Sequence, residues 1–154
     1  MTFVVVDPSS SAAQRAVALY LAELAVRFHG DVDPLEAVLT DAAVAYAPPR
    51  GLFVVSPGEA EPVVACGAVQ WIDDQRGEIK RMWVNPSHRG VGVASRLLAF
   101  LEGLVLGSGR TTVVLDTNAA LTEAIALYDG HGYERVARYN DNPYADLWFR
   151  KSLT

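Results

Sequence analysis

The sequence holds one cysteine in 154 residues, few basic side chains, and no apolar run long enough to cross a membrane. A lone cysteine excludes an internal disulfide and leaves no thiolate pair for a metal centre, so no metal is expected. Cys66 lies in the apolar stretch VVACGAV, the setting of a buried, unreactive thiol and not of a nucleophile. The 13 Lys and Arg are outnumbered by 18 Asp and Glu, a formal net charge of −5. Proteins that track nucleic acid need a basic surface for its phosphates, so no nucleic-acid partner is expected. The opening MTFVVVDPSS lacks the basic region and long apolar core of a secretory signal. With no membrane span either, a cytoplasmic location is expected.

What is present suits one domain over residues 1–154: 51% of the chain is apolar and 20% charged, enough for a sizeable core. One stretch departs from the acidic balance. Lys80, Arg81, His88, Arg89 and Arg96 fall close together, and a local basic patch on an acidic protein suits a small anionic ligand better than a polyanion.

The hydrophobic periodicity predicts a strand over TFVVVD, then a helix over AAQRAVALYLAELAVRF with caps on offer from Asp7 to Ser11. A second helix, PLEAVLTDAAVAYA, is predicted with Asp33 as its cap and Pro34 in its first turn. The runs GLFVVS, VVACGAVQWI and EIKRMWVN, joined by the turns PGEAEP and DDQRG, predict an antiparallel meander. ASRLLAFLEGLVLG reads as a helix, TTVVLD as a buried strand and LTEAIALYDGHGY as a short helix. ERVARY and ADLWFRK read as strands around the turn NDNP, and Trp71, Trp83 and Trp148 as core or interface material within strands. This order gives a mixed α+β sheet and not a repeating βα array.

Between EIKRMWVN and the third helix stands PSHRGVGVAS. Glycine at a helix N-terminus lets partnerless first-turn N–H groups approach a ligand, and the helix dipole favours an anion there. Phosphate fits such a site, with the Arg89 guanidinium as a planar donor. A tight turn with glycines at positive φ fits the same residues. GVGVAS also approaches the dinucleotide pattern G-x-G-x-x-G, with Asp116 near the place of a ribose-binding acid. The charges of EIKRMWVN, the five residues PSHRG and the preceding meander speak against that third reading.

GEIKRMWVNPSHRGVGVASRLLAFLE resembles the core signature of the GCN5-related N-acetyltransferases, the GNAT family. The motif Q/R-x-x-G-x-G/A is matched by Arg89-Gly90-Val91-Gly92-Val93-Ala94, and TEAIALYDGHGYERV resembles the family's later helix–glycine–strand motif. The resemblance covers residues 50 to 150. It implies a mostly antiparallel twisted sheet of six or seven strands with four helices, splayed between the fourth and fifth strands. It also implies acetyl-CoA as co-substrate, with pantetheine in the splay against Met82, Trp83 and Val84, paired to the amides of Met82 and Val84. The diphosphate would be cradled by Arg89, Gly90, Val91, Gly92, Val93, Ala94 and Ser95. A β-bulge within KRMWV would open the splay. Many members carry asparagine where this chain has Leu121, and Asn118, one turn earlier, is the expected substitute.

The activity so implied is N-acetyl transfer by direct attack of a primary amine, of a small molecule or a peptide. Tyr128 matches the family's tyrosine and is the expected acid for the departing thiolate; its ring also lies on the apolar helix face, where a core role fits. Glu78 matches the glutamate base of some members; paired with Lys80 or Arg76 it would be an ordinary exposed carboxylate. A backbone N–H at the bulge, at Met82, would serve the oxyanion. Residues 28–50 and YNDNPYAD, with Asp31, Asp33, Tyr139, Asp141 and Tyr144, form the expected acceptor walls and suit a cationic amine. A homodimer is a further expectation. A non-catalytic acyl-CoA-binding module on the same fold is the alternative from another class, followed by the dinucleotide-binding protein.

Overall fold

The computed structural model describes residues 1–58 and 63–154. Its elements in chain order are β1 (Val4–Val6), α1 (Ser11–Arg27), α2 (Leu35–Ala45), β2 (Gly51–Ser56), β3 (Ala65–Trp71), β4 (Arg76–Val84), α3 (Val93–Gly107), β5 (Thr112–Thr117), α4 (Thr122–Gly130), β6 (Glu134–Val136) and β7 (Leu147–Ser152). The seven strands form one sheet in the order β1-β2-β3-β4-β5-β7-β6. The predicted meander is there: β1 to β4 pair antiparallel in sequence order. The turn PGEAEP lies in part outside the described residues. β4 and β5 are the parallel pair, joined through α3, and the pairs of β5 with β7 and of β6 with β7 are antiparallel. A dinucleotide-binding fold needs a largely parallel sheet, so this topology removes that reading.

The strand period of two sends alternate residues to two cores. On β2, Val54 joins Leu97, Leu98, Leu101 and Val105 of α3, while Phe53 and Val55 join Ala13, Ala16 and Val17 of α1 and Ala42 of α2. α3 lies close on β3: a Cβ on Gly67 would stand 2.8 Å from Leu101 Cδ1. Cys66 is fully buried, and burial pushes its thiol up to about 12, as its apolar setting predicts. Trp83 and Trp148 are each 7% exposed, in line with a core role.

Three boundaries differ from the pattern-based reading. β4 begins at Arg76 because Asp73 Oδ1 accepts from the amides of Gln75 (2.9 Å) and Arg76 (2.8 Å), tightening the turn before it. α2 begins after Pro34 with no side-chain cap, since the Asp33 carboxylate instead accepts the Tyr144 hydroxyl at 2.8 Å. β6 ends at Val136, three residues before ERVARY does, because the chain leaves the sheet and Tyr139 and Asn140 bond to Glu78.

Candidate active site

β4 and β5 pair only over Arg76 to Glu78, opposite Thr112 to Val114. Beyond Glu78 the two strands part. The predicted bulge sits at this point: Cys66 opposes Trp83 but Ala68 opposes Lys80, and Arg81 takes φ 58. The extra residue reverses the alternation. Ile79 packs in the α3 core and Lys80 points away from it by ordinary pleating; after the bulge Met82 packs against that core and Trp83 against α1 and α2. The Arg81 side chain is therefore turned toward Tyr20, whose ring centroid is 5.8 Å from its guanidinium carbon. The Cys66 thiol fixes the bulge by donating to the Arg81 carbonyl at 3.3 Å.

The gap opens into two cavities that meet at Tyr128. The first, about 460 Å³, is lined by Met82, Trp83 and Val84 along β4, by Arg89, Gly90 and Gly92 to Ser95, and by residues of α1 and α4. Gly92 caps α3 from a left-handed conformation, φ 83, with no side-chain cap at the helix start. That conformation suits glycine, and the uncapped turn leaves its amides for a ligand. Val91 is 64% exposed and does not line this cavity. The Arg89 fork is already engaged: Nε donates to the Val84 carbonyl at 2.9 Å and a terminal nitrogen to Glu23 at 2.5 Å. Glu23 also accepts from Trp83 Nε1 at 3.1 Å and pairs with Arg27 at 3.4 Å, and Arg27 bonds in turn to Glu123 of α4. These four charges all line the first cavity.

The second cavity, about 290 Å³, lies between α1, the α1–α2 connection, β4, β5 and residues 142–145. Of the residues expected as acceptor walls, Asp33 and Tyr144 line it; Asp31, Tyr139 and Asp141 do not. Asn118 lines this cavity and not the one beside the glycine turn, its amide donating to the Tyr144 carbonyl at 2.7 Å and accepting from Ala120 N at 2.9 Å. That arrangement orders the loop before β7 and parts Asn118 from the other expected ligands.

Tyr128 is 6% exposed, its ring 5.7 Å from that of Tyr133 and 5.6 Å from that of Phe149. Its hydroxyl points at Met82 Sδ, 3.8 Å away, and the residue lines both cavities. Burial, reinforced by Tyr20 and Asp116, raises its pKa well above the ordinary phenol value. The group thus stays protonated and able to donate. The ring is core and the hydroxyl faces the gap, a placement compatible with either expected role.

Glu78, the expected base, is 4% exposed and lines neither cavity. Its carboxylate accepts from the Tyr139 hydroxyl and from Asn140 Nδ2 (3.1 Å), with Lys80 Nζ at 3.5 Å. The same Asn140 amide donates to Asp116 at 2.7 Å, Asn142 donates to the other Asp116 oxygen at 3.1 Å, and Asp116 does line the second cavity. Asp116 had a sequence signal, an acid closing a buried strand, but one that suggested a ribose. Arg81 had only its place in the basic patch, which suggested an anionic ligand without a location, because only the bulge aims it.

The sheet order, the single parallel pair and the gap between β4 and β5 define a mixed α/β fold of the acetyltransferase type. The sequence profile of the Acetyltransferase (GNAT) family matches residues 15–133, and the chain belongs to that family. It is 34% identical over 122 residues to an IAA acetyltransferase of Azospirillum brasilense, covering 78% of each protein. Its fold superposes on an acetyltransferase of GNAT family from Staphylococcus aureus Mu50 with a TM-score of 0.84 at 12% identity, over 99% of this chain and 100% of that one. It is also similar to the PaiA N-acetyltransferase of Thermoplasma acidophilum solved in complex with coenzyme A, with a TM-score of 0.73, 13% identity and 99% of both chains covered.

Proposed function

We propose that this protein transfers the acetyl group of acetyl-CoA to a primary amine. The observation that carries the reading is the parting of β4 from β5 beyond Glu78, which opens a cleft from the glycine turn to the Tyr128 hydroxyl. An extended pantetheine can complete the unpaired edge of β4 as a missing strand would, bonded to the amide of Val84. The uncapped start of α3, at Gly92 to Ser95 with Gly90 before it, suits the diphosphate.

The amine enters from the second cavity, reacts as its free base and attacks the thioester carbon, forming the N–C bond and a tetrahedral oxyanion whose collapse then breaks the C–S bond. The Met82 amide is assigned to the oxyanion that develops between these steps. Asp116, held by Asn140 and Asn142, takes the proton the amine loses, and Tyr128 gives its proton to the leaving sulfur. Exchange with solvent resets both groups, so the net change is one proton from nitrogen to sulfur. Glu78 is a positioning residue that holds Asn140 and Tyr139. A non-catalytic acyl-CoA module would have no use for an acid and a carboxylate converging from two cavities.

The test is twofold. Acetyl-CoA at about a hundredfold excess over its Kd should stabilise the protein by roughly 2.7 kcal/mol. Ala94→Glu is compatible with the first turn of α3, puts a carboxylate where the diphosphate belongs, and should abolish that shift. Release of free thiol with a panel of amines then separates enzyme from binding module: a bound coenzyme with no acetylated product from any amine overturns the enzyme reading.

A further inference from the structure

The acceptor cavity presents a cation that acetyl transfer does not use. Arg81 lines it, aimed there by the bulge, and is held against Tyr20. Its charge is poorly neutralised. The carboxylate paired with it, on Asp41, stands 3.7 Å away and is itself 60% exposed, and Nε is enclosed with no acceptor among the described residues. Leaving a guanidinium donor unmet is costly, and an anionic ligand near it offsets that cost.

We propose that Arg81 receives a carboxylate of the acceptor, which makes the substrate an amino acid, or a close derivative of one, with an apolar body. The inference rests on the acetyltransferase reading of the same site and names its substrate class. Three features of the cavity carry it. An acidic residue, Asp116, and a basic one, Arg81, line the same small space, one sign for each end of a zwitterion. Leu21, Leu24, Phe28, Val32 and Val38 supply an apolar wall for the body of the molecule. The other cation among the described lining residues, Lys80, already faces the buried Glu78 at 3.5 Å, so Arg81, whose carboxylate partner is exposed, is the less neutralised of the two. That matches a carboxylate monoanion better than a phosphate dianion.

The proposal narrows the expectation of a plain cationic amine. The acidic side chains of the acceptor walls suggest such a substrate, but a half-buried guanidinium beside it would repel an amine that carries no compensating carboxylate.

The experiment compares molecules that differ only in the carboxylate. With acetyl-CoA present, L-phenylalanine, L-leucine and L-methionine are each set against the amine left after decarboxylation, and kcat/KM is read from thiol release. Independently of turnover, binding of N-acetyl-L-phenylalanine, N-acetyl-L-leucine and N-acetyl-L-methionine is compared by calorimetry with that of the matching N-acetylated amines. The acid is expected to lead by about tenfold to a hundredfold in at least one pair. Arg81→Gln should erase that lead while leaving the acetyl-CoA thermal shift unchanged.

No carboxylate preference in any pair, including binding of neither member, overturns the proposal, and this arm needs no variant. A preference that survives in a folded Arg81→Gln protein overturns it as well. The two readings fail separately. A carboxylate preference in product binding without thiol release would keep the Arg81 site and discard acetyl transfer. Thiol release with amines, without the preference, would do the reverse.

Discussion

Removing the Tyr128 hydroxyl separates its two roles. The ring is core, in contact with Tyr133 and Phe149, whereas the hydroxyl has one weak partner, Met82 Sδ at 3.8 Å. Tyr128→Phe therefore keeps the packing and leaves no strong donor or acceptor unmet, so the stability cost should stay within about 0.5 kcal/mol. The catalytic cost is of another size. A proton delivered to the departing thiolate stabilises charge that exists only late in the reaction, which affects kcat and not coenzyme binding. A thiolate is already a fair leaving group, so the expected loss lies between about tenfold and a thousandfold, or about 1.4 to 4 kcal/mol, nearer the smaller figure.

The assay is steady-state thiol release at saturating acceptor, with the acetyl-CoA Kd from calorimetry and Tm from a thermal melt. The pH profile adds a second constraint. The donor must be protonated to act, and burial raises its pKa above the ordinary phenol value, so its protonated form persists as pH rises. Wild-type kcat should accordingly not fall on the alkaline side up to about pH 10, the ordinary tyrosine pKa. Full activity in a folded Tyr128→Phe protein would falsify the acid role and leave Tyr128 a core residue alone.

Two further variants address the charges around the cavities. Asp116→Asn should lower kcat by about a hundredfold or more if Asp116 takes the amine's proton, and the loss should exceed that of Glu78→Gln, which acts only through Asn140. The reverse order of losses would return the base to Glu78. Glu23→Gln removes a negative charge from the coenzyme cavity and frees Arg89 from its 2.5 Å contact, while a Gln side-chain oxygen can still accept from Trp83 Nε1. Acetyl-CoA should then bind about two- to fivefold tighter, within the range of a partly exposed ion pair, and its affinity should fall more steeply with salt. Weaker binding would mean instead that Glu23 holds Arg89 in the posture the diphosphate needs.

The elements of this fold were written locally. GLFVVS is β2 residue for residue, the α3 start falls at Gly92-Val93 where the glycine motif puts it, and the short turn DDQRG forces β3 and β4 antiparallel. Periodicity, capping and turn chemistry act over a few residues, so a linear reading can recover them. The glycine turn and Tyr128 were legible for the same reason, as positions in contiguous motifs. Acceptor-side chemistry was not. Glu78 reads as an exposed strand carboxylate until residues 139 and 140 fold over it from 61 and 62 positions away, and Asp116 becomes a cavity wall held by Asn140 and Asn142 through that same loop. Arg81 would face the α3 core by simple alternation, where a guanidinium has no place. One inserted residue at the bulge turns it to the acceptor cavity, and that insertion exists only in the pairing of β4 with β3, which no single strand's sequence records.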